Sequence, residues 1–149
     1  MRLLTGIPVS PGVATGRAAL LLQHPLVLRH AVTEAQLPRE IARIEQAREL
    51  SRSQLGDIRT RVLESAGGEM AQLFEAQLLM LDDRLLVPRA RDVARGEHVN
   101  AECALQRAFD AICALFLSVG DDYLHERRGV VADVVGRLRR NLNPGGTRR

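Results

Sequence analysis

The distribution of apolar and polar positions divides the chain into a short first part with strand-like patterning and a longer second part with helical patterning. Residues 5–22 read TGIPVSPGVATGRAALLL, where Gly, Ser and Pro interrupt short apolar runs and SPG at Ser10–Gly12 is typical of a turn. This pattern predicts a strand, a turn and a second strand. A connector that contains Pro25 follows at residues 23–32, and regular helical spacing begins only after it.

A long helix is predicted after Thr33, because apolar residues recur there near one helical face. Thr33 and Gln36 have the spacing of a capping box. Pro38 is tolerated only in the first turn of a helix, so the helix is expected to begin a little after Thr33. The residues of the apolar face are Ile41, Ile44, Leu55, Ile58 and Val62.

Further helices are predicted beyond the break at Ala66–Gly68, and Asn100 is a suitable N-cap for one of them. They are expected at about residues 69–81, 85–95, 101–119 and 122–142.

These elements predict a mainly α fold: an antiparallel helical bundle of two long helices and several shorter ones, with a short N-terminal β segment. The predicted organisation is a β-like segment and connector at 1–32, a helical subdomain at 33–143 and a polar tail at 144–149. Composition supports this prediction, since 46% of the residues are hydrophobic but only 3% are aromatic. Aliphatic residues must then build the interior, and they pack well as helix on helix.

The net charge of +3 comes with 21 basic residues, all of them Arg. The Arg residues are scattered along helical patterns, which indicates solvated helix faces and only weakly favours nucleic-acid binding. That weaker alternative depends on Arg137, Arg139, Arg140, Arg148 and Arg149.

The location expected from the sequence is cytoplasmic, because no apolar run is long enough to span a membrane and the first residues lack the features of a signal peptide. Cys103 and Cys113 lie on one predicted helix, about 15 Å apart along its axis. That separation is too large for a disulfide between them, so both are interpreted as small buried residues.

Candidate catalytic chemistry is sparse. The four histidines are not accompanied by a glycine-rich loop or an evident orienting carboxylate, and no Ser or Cys stands in a nucleophile motif. No metal-ligand spacing occurs among Cys, His, Asp and Glu. Residue chemistry alone therefore predicts no catalytic residue and no metal site.

The segment LFEAQLLMLDD at Leu73–Asp83 carries more apolar residues than one helix face can hold. Leu79 and Met80 do not fit the stripe that is expected to face the core, and the interval 62–83 contains acids but no base. Two interpretations stay open here: an acid-rimmed apolar patch for a partner protein, or burial by a second helix. The expected core stripe consists of Met70, Leu73, Phe74, Leu78 and Leu81.

Three segments of the chain resemble, in the same order, segments from the N-terminal half of bacterial Enzyme I, the phosphoenolpyruvate–protein phosphotransferase of the sugar phosphotransferase system. They are GIPVSPGVATGRAALL at Gly6–Leu21, LFEAQLLMLDDRLL at Leu73–Leu86 and DDYLHERRGVVADVVGRLRRNL at Asp121–Leu142. The resemblance implies an incomplete phosphohistidine α/β domain with an inserted helical subdomain that docks the phosphocarrier HPr. Both the sugar branch and the nitrogen-regulatory branch of this family fit.

The resemblance also implies which residues face HPr. Gln77 and Leu85 depart from it, since a histidine and an acid are expected at these positions, and this bears on partner preference. The implied polar contacts are Glu69, Asp83 and Arg127. The implied apolar contacts are Leu79, Met80, Leu86, Phe116, Tyr123 and Leu124.

The implied function is that of an HPr-docking module. The family's active-site histidine lies in a Gly-Gly…Ser-His motif that these 149 residues do not contain, so the chain by itself is expected to be inactive in phosphotransfer. The alternative is that it forms part of a complete phosphotransferase that continues beyond residue 149.

No cofactor is expected in this chain, because Mg²⁺ and phosphoenolpyruvate belong to the family's C-terminal domain. In the family, the first strands pair with strands that follow the helical insertion. Residues 5–22 are therefore expected to form a hairpin on the bundle or to pair with another chain.

Overall fold

A computed structural model describes residues 11–13, 15–16, 27–119 and 122–143, and it leaves the side chains of residues 116–127 undescribed. The described part contains five helices, which confirms the prediction of a mainly α fold. They are α1 (Leu37–Ala66), α2 (Gly68–Asp82), α3 (Leu86–Glu97), α4 (Ala101–Val119) and α5 (Asp122–Leu142). The strand, turn and strand predicted at 5–22 fall almost entirely outside the described residues.

Helix α1 organises the bundle, because each of the other four helices packs against it. Helices α3 and α4 form a second extensive contact, and α5 packs against α4 and α2. The core that these contacts enclose is almost wholly aliphatic, as the composition predicts. Its largest completely buried aliphatic side chains are Ile44, Leu55, Leu81, Leu86, Leu105, Ile112 and Leu138. Among the described helices, none is both long and apolar enough to cross a membrane.

The start of α1 combines a correct prediction with a partial correction. The helix begins at Leu37 with Pro38 in its first turn. The side chain of Gln36 reaches back as in a capping box, since its Oε1 accepts the Thr33 backbone N–H at 3.0 Å. The reciprocal bond differs, because the Gln36 N–H is bound by the Thr33 carbonyl oxygen and not by its hydroxyl. The capping box is therefore only half formed.

Asn100 lies directly before α4, as predicted, but its side chain bonds the connector before α1. Its Oδ1 accepts the His30 N–H at 2.9 Å, and its Nδ2 donates to the Leu28 carbonyl at 3.2 Å. The N–H of Ala101 is instead satisfied by Glu40 Oε2 on α1 at 2.8 Å. Asn100 thus fastens the connector to the bundle.

Arg43, Asn100 and Glu102 together form a structure that we name the polar clasp. Asn100 Nδ2 donates to Glu102 Oε2 at 2.9 Å, and the guanidinium of Arg43 pairs with the Glu102 carboxylate. Arg43 Nη2 also donates to the carbonyl of Leu142, the last residue of α5, at 3.3 Å. The clasp therefore joins the connector that leads into α1 to the end of α5.

Burial and pairing have opposite effects on the charged groups of the clasp. Burial alone raises the pKa of Glu102, but its hydrogen bonds with Arg43, its own backbone and Asn100, together with the charge of Arg43, outweigh this effect and lower that pKa. Burial likewise lowers the pKa of Arg43, but the hydrogen bonds and charges of Glu102 and Glu40 raise it overall. The clasp is therefore held in its ionised form.

Candidate docking surface

One side of α2 presents residues at the spacing of a single helical face. With about 100° of rotation per residue, the four positions of this face that lie within α2 span an arc of about 60°, and the fifth residue of the set is the C-cap that directly follows the helix. The five residues are Glu69, Leu73, Ala76, Met80 and Asp83. We name this set the α2 stripe; it has an acid at each end and apolar side chains between them.

Leu79 lies beside the α2 stripe and is the most exposed large apolar residue of α2, with 69% of its surface accessible. Met80 is only partly exposed and packs against the core. The two residues that the sequence leaves outside the core stripe therefore differ. Leu79 is exposed, so no second helix among the described residues buries it. Met80 is partly exposed and also contributes to the interior.

The inward face of α2 differs from the stripe that the sequence predicts. Leu81 is buried as expected, with Ala71 and Gln77 beside it, but Met70 and Leu73 are 58% and 51% exposed. Phe74 and Leu78 are partly buried against the core. A periodic pattern finds the most apolar side of a helix, whereas the positions of α1 and α5 decide which side is covered.

The prediction that Leu86 faces a partner is corrected, because its side chain is completely buried. Leu86 packs into the core at the corner between α2 and α3, whereas its neighbour Leu85 is 46% exposed at the same corner. The other four predicted contacts lie in the last turn of α4 and the first turns of α5, where side chains are outside the description, so they stay predictions. They are Phe116, Tyr123, Leu124 and Arg127.

Exposed apolar side chains near three helix ends were missed by the sequence reasoning. Leu63 lies in the last turn of α1 and Leu115 in the last turns of α4, and they are 47% and 51% exposed. Met70 lies in the first turn of α2. Residues at a helix end can continue an inward-facing pattern beyond the reach of the neighbouring helices, so only their position near the predicted breaks could have indicated exposure.

The acidic interval 62–83 is less uniform than its sequence indicates. Glu75 pairs with Arg59 at 3.4 Å, and Asp82 pairs with Arg48 and Arg52 at 3.2 and 3.5 Å. Within the described part of the chain, Glu69 and Asp83 have no ion pair, and both are exposed. Glu64 near the end of α1 is exposed and unpaired in the same part of the structure, so the acids of the α2 stripe itself that remain available to a partner are Glu69 and Asp83.

The described residues do not assemble catalytic chemistry around this surface. Among them, no group of three or more His, Cys, Asp or Glu residues is arranged to hold a metal ion. Cys103 and Cys113 are free and buried, and burial raises the pKa of the Cys113 thiol despite the nearby Arg128. His98 Nε2 lies 3.0 Å from Glu34 Oε1, at the end of α3 and away from α2.

Comparison with known proteins gives a consistent match over most of the chain. The family described as PEP-utilising enzyme, N-terminal, matches residues 5–127. A phosphoenolpyruvate-protein phosphotransferase of Haemophilus influenzae is 36% identical over 141 residues, which cover 94% of this chain and 24% of that protein. The corresponding protein of Cupriavidus necator is 35% identical over 140 residues, with 93% and 24% coverage. The chain thus spans about a quarter of the length of these relatives.

A solved structure supports the same relationship. The NMR solution structure of an Enzyme I protein, designated nEIt, superposes with a TM-score of 0.75 at 27% sequence identity. The match covers 80% of this chain and 48% of the solved one.

Proposed function

The chain belongs to the family of N-terminal domains of PEP-utilising enzymes and corresponds to the N-terminal module of Enzyme I, and from this premise we propose that it docks an HPr-like phosphocarrier protein. The observation that carries the proposal is the exposed Leu79 beside a stripe that ends on two acids without ion pairs in the described structure, Glu69 and Asp83. We further propose that the docking unit is the helical subdomain at 33–143.

The physical features of this surface fit a protein partner with an apolar centre and a basic rim. Leu79 and the exposed parts of Leu73 and Met80 supply apolar area at the centre of the contact. A few such residues carry most of the binding energy in a protein interface. The carboxylates of Glu69 and Asp83 steer and orient a cationic surface, because complementary charge acts mainly on association and register.

The longer relatives carry the name phosphoenolpyruvate-protein phosphotransferase, and we propose that docking by this module serves phosphoryl transfer in a protein of that length. Within the module the α2 surface supplies recognition, while the transfer chemistry requires groups outside the described residues. Self-association through residues 5–22 stays a prediction that sedimentation at several protein concentrations can check.

Nucleic-acid binding receives little support from the described arginines. Arg137 donates to Gln54 at 3.2 Å and Arg139 donates to Gln106 at 3.1 Å, so both side chains are engaged within the bundle. Arg148 and Arg149 lie outside the described residues. Binding to a phosphate backbone would need several accessible cations on one face.

Titration of the folded protein with an HPr-type phosphocarrier, followed by calorimetry or NMR, tests the proposal. Leu79→Glu should weaken binding by at least about tenfold, since it places a charge in the apolar centre of the contact. Its thermal midpoint should change little, because Leu79 is mostly exposed. Met80→Glu is a poorer probe, since Met80 also packs against the core and its replacement should reduce stability as well.

A matched control is Leu50→Glu, which makes the same change at a 50% exposed leucine of α1. Leu50 precedes Arg52 by two positions and thus lies about 160° around α1 from the residue that pairs with Asp82 of α2. The control should bind as the unaltered protein does. The proposal is overturned if the folded protein does not bind the carrier at high micromolar concentration, or if both variants bind equally well.

A further inference from the structure

Asp82 and Asp83 are neighbours in sequence but have different surroundings at the end of α2. The carboxylate of Asp82 is held by two guanidinium groups of α1, from Arg48 at 3.2 Å and Arg52 at 3.5 Å. Asp83 has extended backbone angles, φ −66° and ψ 147°, and so leaves the helix. Within the described residues Asp83 forms no ion pair. Only one of the two acids is therefore free to meet a cationic partner.

Arg48 makes the contacts that produce this difference. Its Nε donates to the carbonyl oxygen of Leu81 at 3.1 Å, and its Nη2 donates to Asp82 at 3.2 Å. The last carbonyls of a helix have no partner within the helix, so this bond caps α2 from a neighbouring element. On its own helix, the Nη1 of Arg48 also pairs with Glu45 and Glu49 at 3.7 and 3.6 Å, so the guanidinium is held by α1 and α2 together.

The capped turn includes the residues of the proposed docking surface. The N–H of Asp83 donates to the carbonyl of Leu79 at 2.9 Å, which closes the final turn. Leu79, Leu81 and Asp83 are thus linked through one turn of backbone, and Arg48 bonds the middle of it. Movement of this turn would carry the exposed leucine and the available acid together.

We infer that Arg48 is a positioning residue for carrier docking, which withholds Asp82 from the partner and holds the last turn of α2 so that Leu79 and Asp83 meet the partner together. This inference rests on the proposed docking function. It assigns the specificity of the acidic rim to an arginine that does not contact the partner. The planar guanidinium is essential, because a lysine ammonium cannot bond the Leu81 carbonyl and the Asp82 carboxylate in the same fork geometry.

The test compares Asp82→Asn with Asp83→Asn, first in the unaltered protein and then in a background that carries Arg48→Lys. This background keeps the net charge constant, so a change in binding cannot come from overall electrostatics. Dissociation constants for an HPr-type carrier are measured at about 0.15 M salt, where screening over about 8 Å leaves mainly close contacts. Arg52→Lys is the matched control, since among the described residues Arg52 pairs with Asp82 but makes no bond to the α2 backbone, and its side chain is 53% exposed.

In the unaltered protein, Asp83→Asn should weaken binding about two- to fivefold, the range expected for an exposed charge pair, whereas Asp82→Asn should change it less than twofold. In the Arg48→Lys background the two penalties should converge. Amide exchange at Asp83 should accelerate in Arg48→Lys but not in Arg52→Lys, while thermal midpoints stay close. A general loss of stability would lower the thermal midpoint, but it would not change the relative losses of affinity caused by Asp82→Asn and Asp83→Asn.

Equal penalties for the two Asp variants in the unaltered protein would overturn this inference while leaving carrier docking intact. So would a difference that persists unchanged in Arg48→Lys, or Asp83 exchange that is the same in both lysine variants. Absence of carrier binding by the unaltered protein would overturn the docking proposal itself and this inference with it.

Discussion

Leu85 and Leu86 show how strongly the role of a residue depends on its surroundings. They are adjacent at the corner between α2 and α3, yet Leu85 is 46% exposed and Leu86 is completely buried. A segment resemblance assigns Leu86 to the partner-facing surface because it matches a motif and not a direction in space. The structure assigns surface to Leu85 and core to Leu86.

We expect Leu86→Ala to lower the free energy of unfolding by about 2–5 kcal/mol, since it leaves a cavity in a packed core. Leu85→Ala makes the same chemical change one position away and should stay within about 0.5 kcal/mol. Urea denaturation of the two variants measures both values. Similar losses in the two variants would contradict the burial described for this corner.

Single residues of α2 were only partly predictable from the sequence. Leu79 could be identified as surplus to the core stripe, because periodicity alone leaves it on the wrong side of the helix. The exposure of Leu73 could not, since it depends on where α1 and α5 lie and not on the residues of α2. The engagement of Asp82 by Arg48 was equally hidden, because 34 positions separate the two residues.

At the scale of elements, the helix boundaries were predictable because their signals are local. Pro38, the AGG break and Asn100 lie within a few residues of the ends they mark. Gly67 is the clearest case, with φ +85° and ψ 177° at the junction of α1 and α2. This backbone conformation is essentially restricted to glycine. It allows α2 to fold back along α1 after a single intervening residue.

Gly67→Ala should therefore destabilise the protein by about 1–3 kcal/mol, because its side chain strains the backbone even though the space around it is open. Gly68→Ala is the matched control, since Gly68 is the first residue of α2 and an added Cβ meets nothing within 4 Å. That variant should be neutral or up to about 1 kcal/mol more stable. Thermal unfolding of the two variants measures both changes in stability. A loss is expected for Gly67→Ala and no loss, or a small gain, for Gly68→Ala.

At the scale of the whole molecule, the polar clasp is the feature that the sequence predicted least. Arg43 and Leu142 are 99 positions apart, and Asn100 bonds a connector residue 70 positions before it. Nothing in the local pattern of α1 or α5 indicates these contacts. The helical order and the aliphatic core were predictable, whereas the way in which the first and last parts of the bundle are joined was not.

The clasp makes a prediction about acid stability. Glu102 has a lowered pKa in the folded protein, so the unfolded chain binds more protons between that pKa and the ordinary value of 4.5. Its stabilisation is complete above the ordinary value and is lost as the pH falls through the folded pKa. Glu102→Gln should reduce stability at neutral pH by about 1–3 kcal/mol and flatten the decline in this acid window.

Urea denaturation at a series of pH values measures this effect. Glu64→Gln serves as the control for loss of one carboxylate, because Glu64 is exposed and has no ion pair among the described residues. It should retain the pH dependence of the unaltered protein. An unchanged acid slope in Glu102→Gln would show that the clasp does not contribute to it.

The clasp also bears on how the helical unit can be carried by a larger protein. Within the clasp Asn100 bonds the connector and Arg43 bonds the end of α5, so the chain enters and leaves the bundle at neighbouring points. A domain that carries this bundle as an insertion would need only two neighbouring positions at which its chain leaves and returns. The bundle would then not force those two positions apart. Changes in helix length, or in the proposed docking surface, away from these two points are then expected to disturb a host domain little.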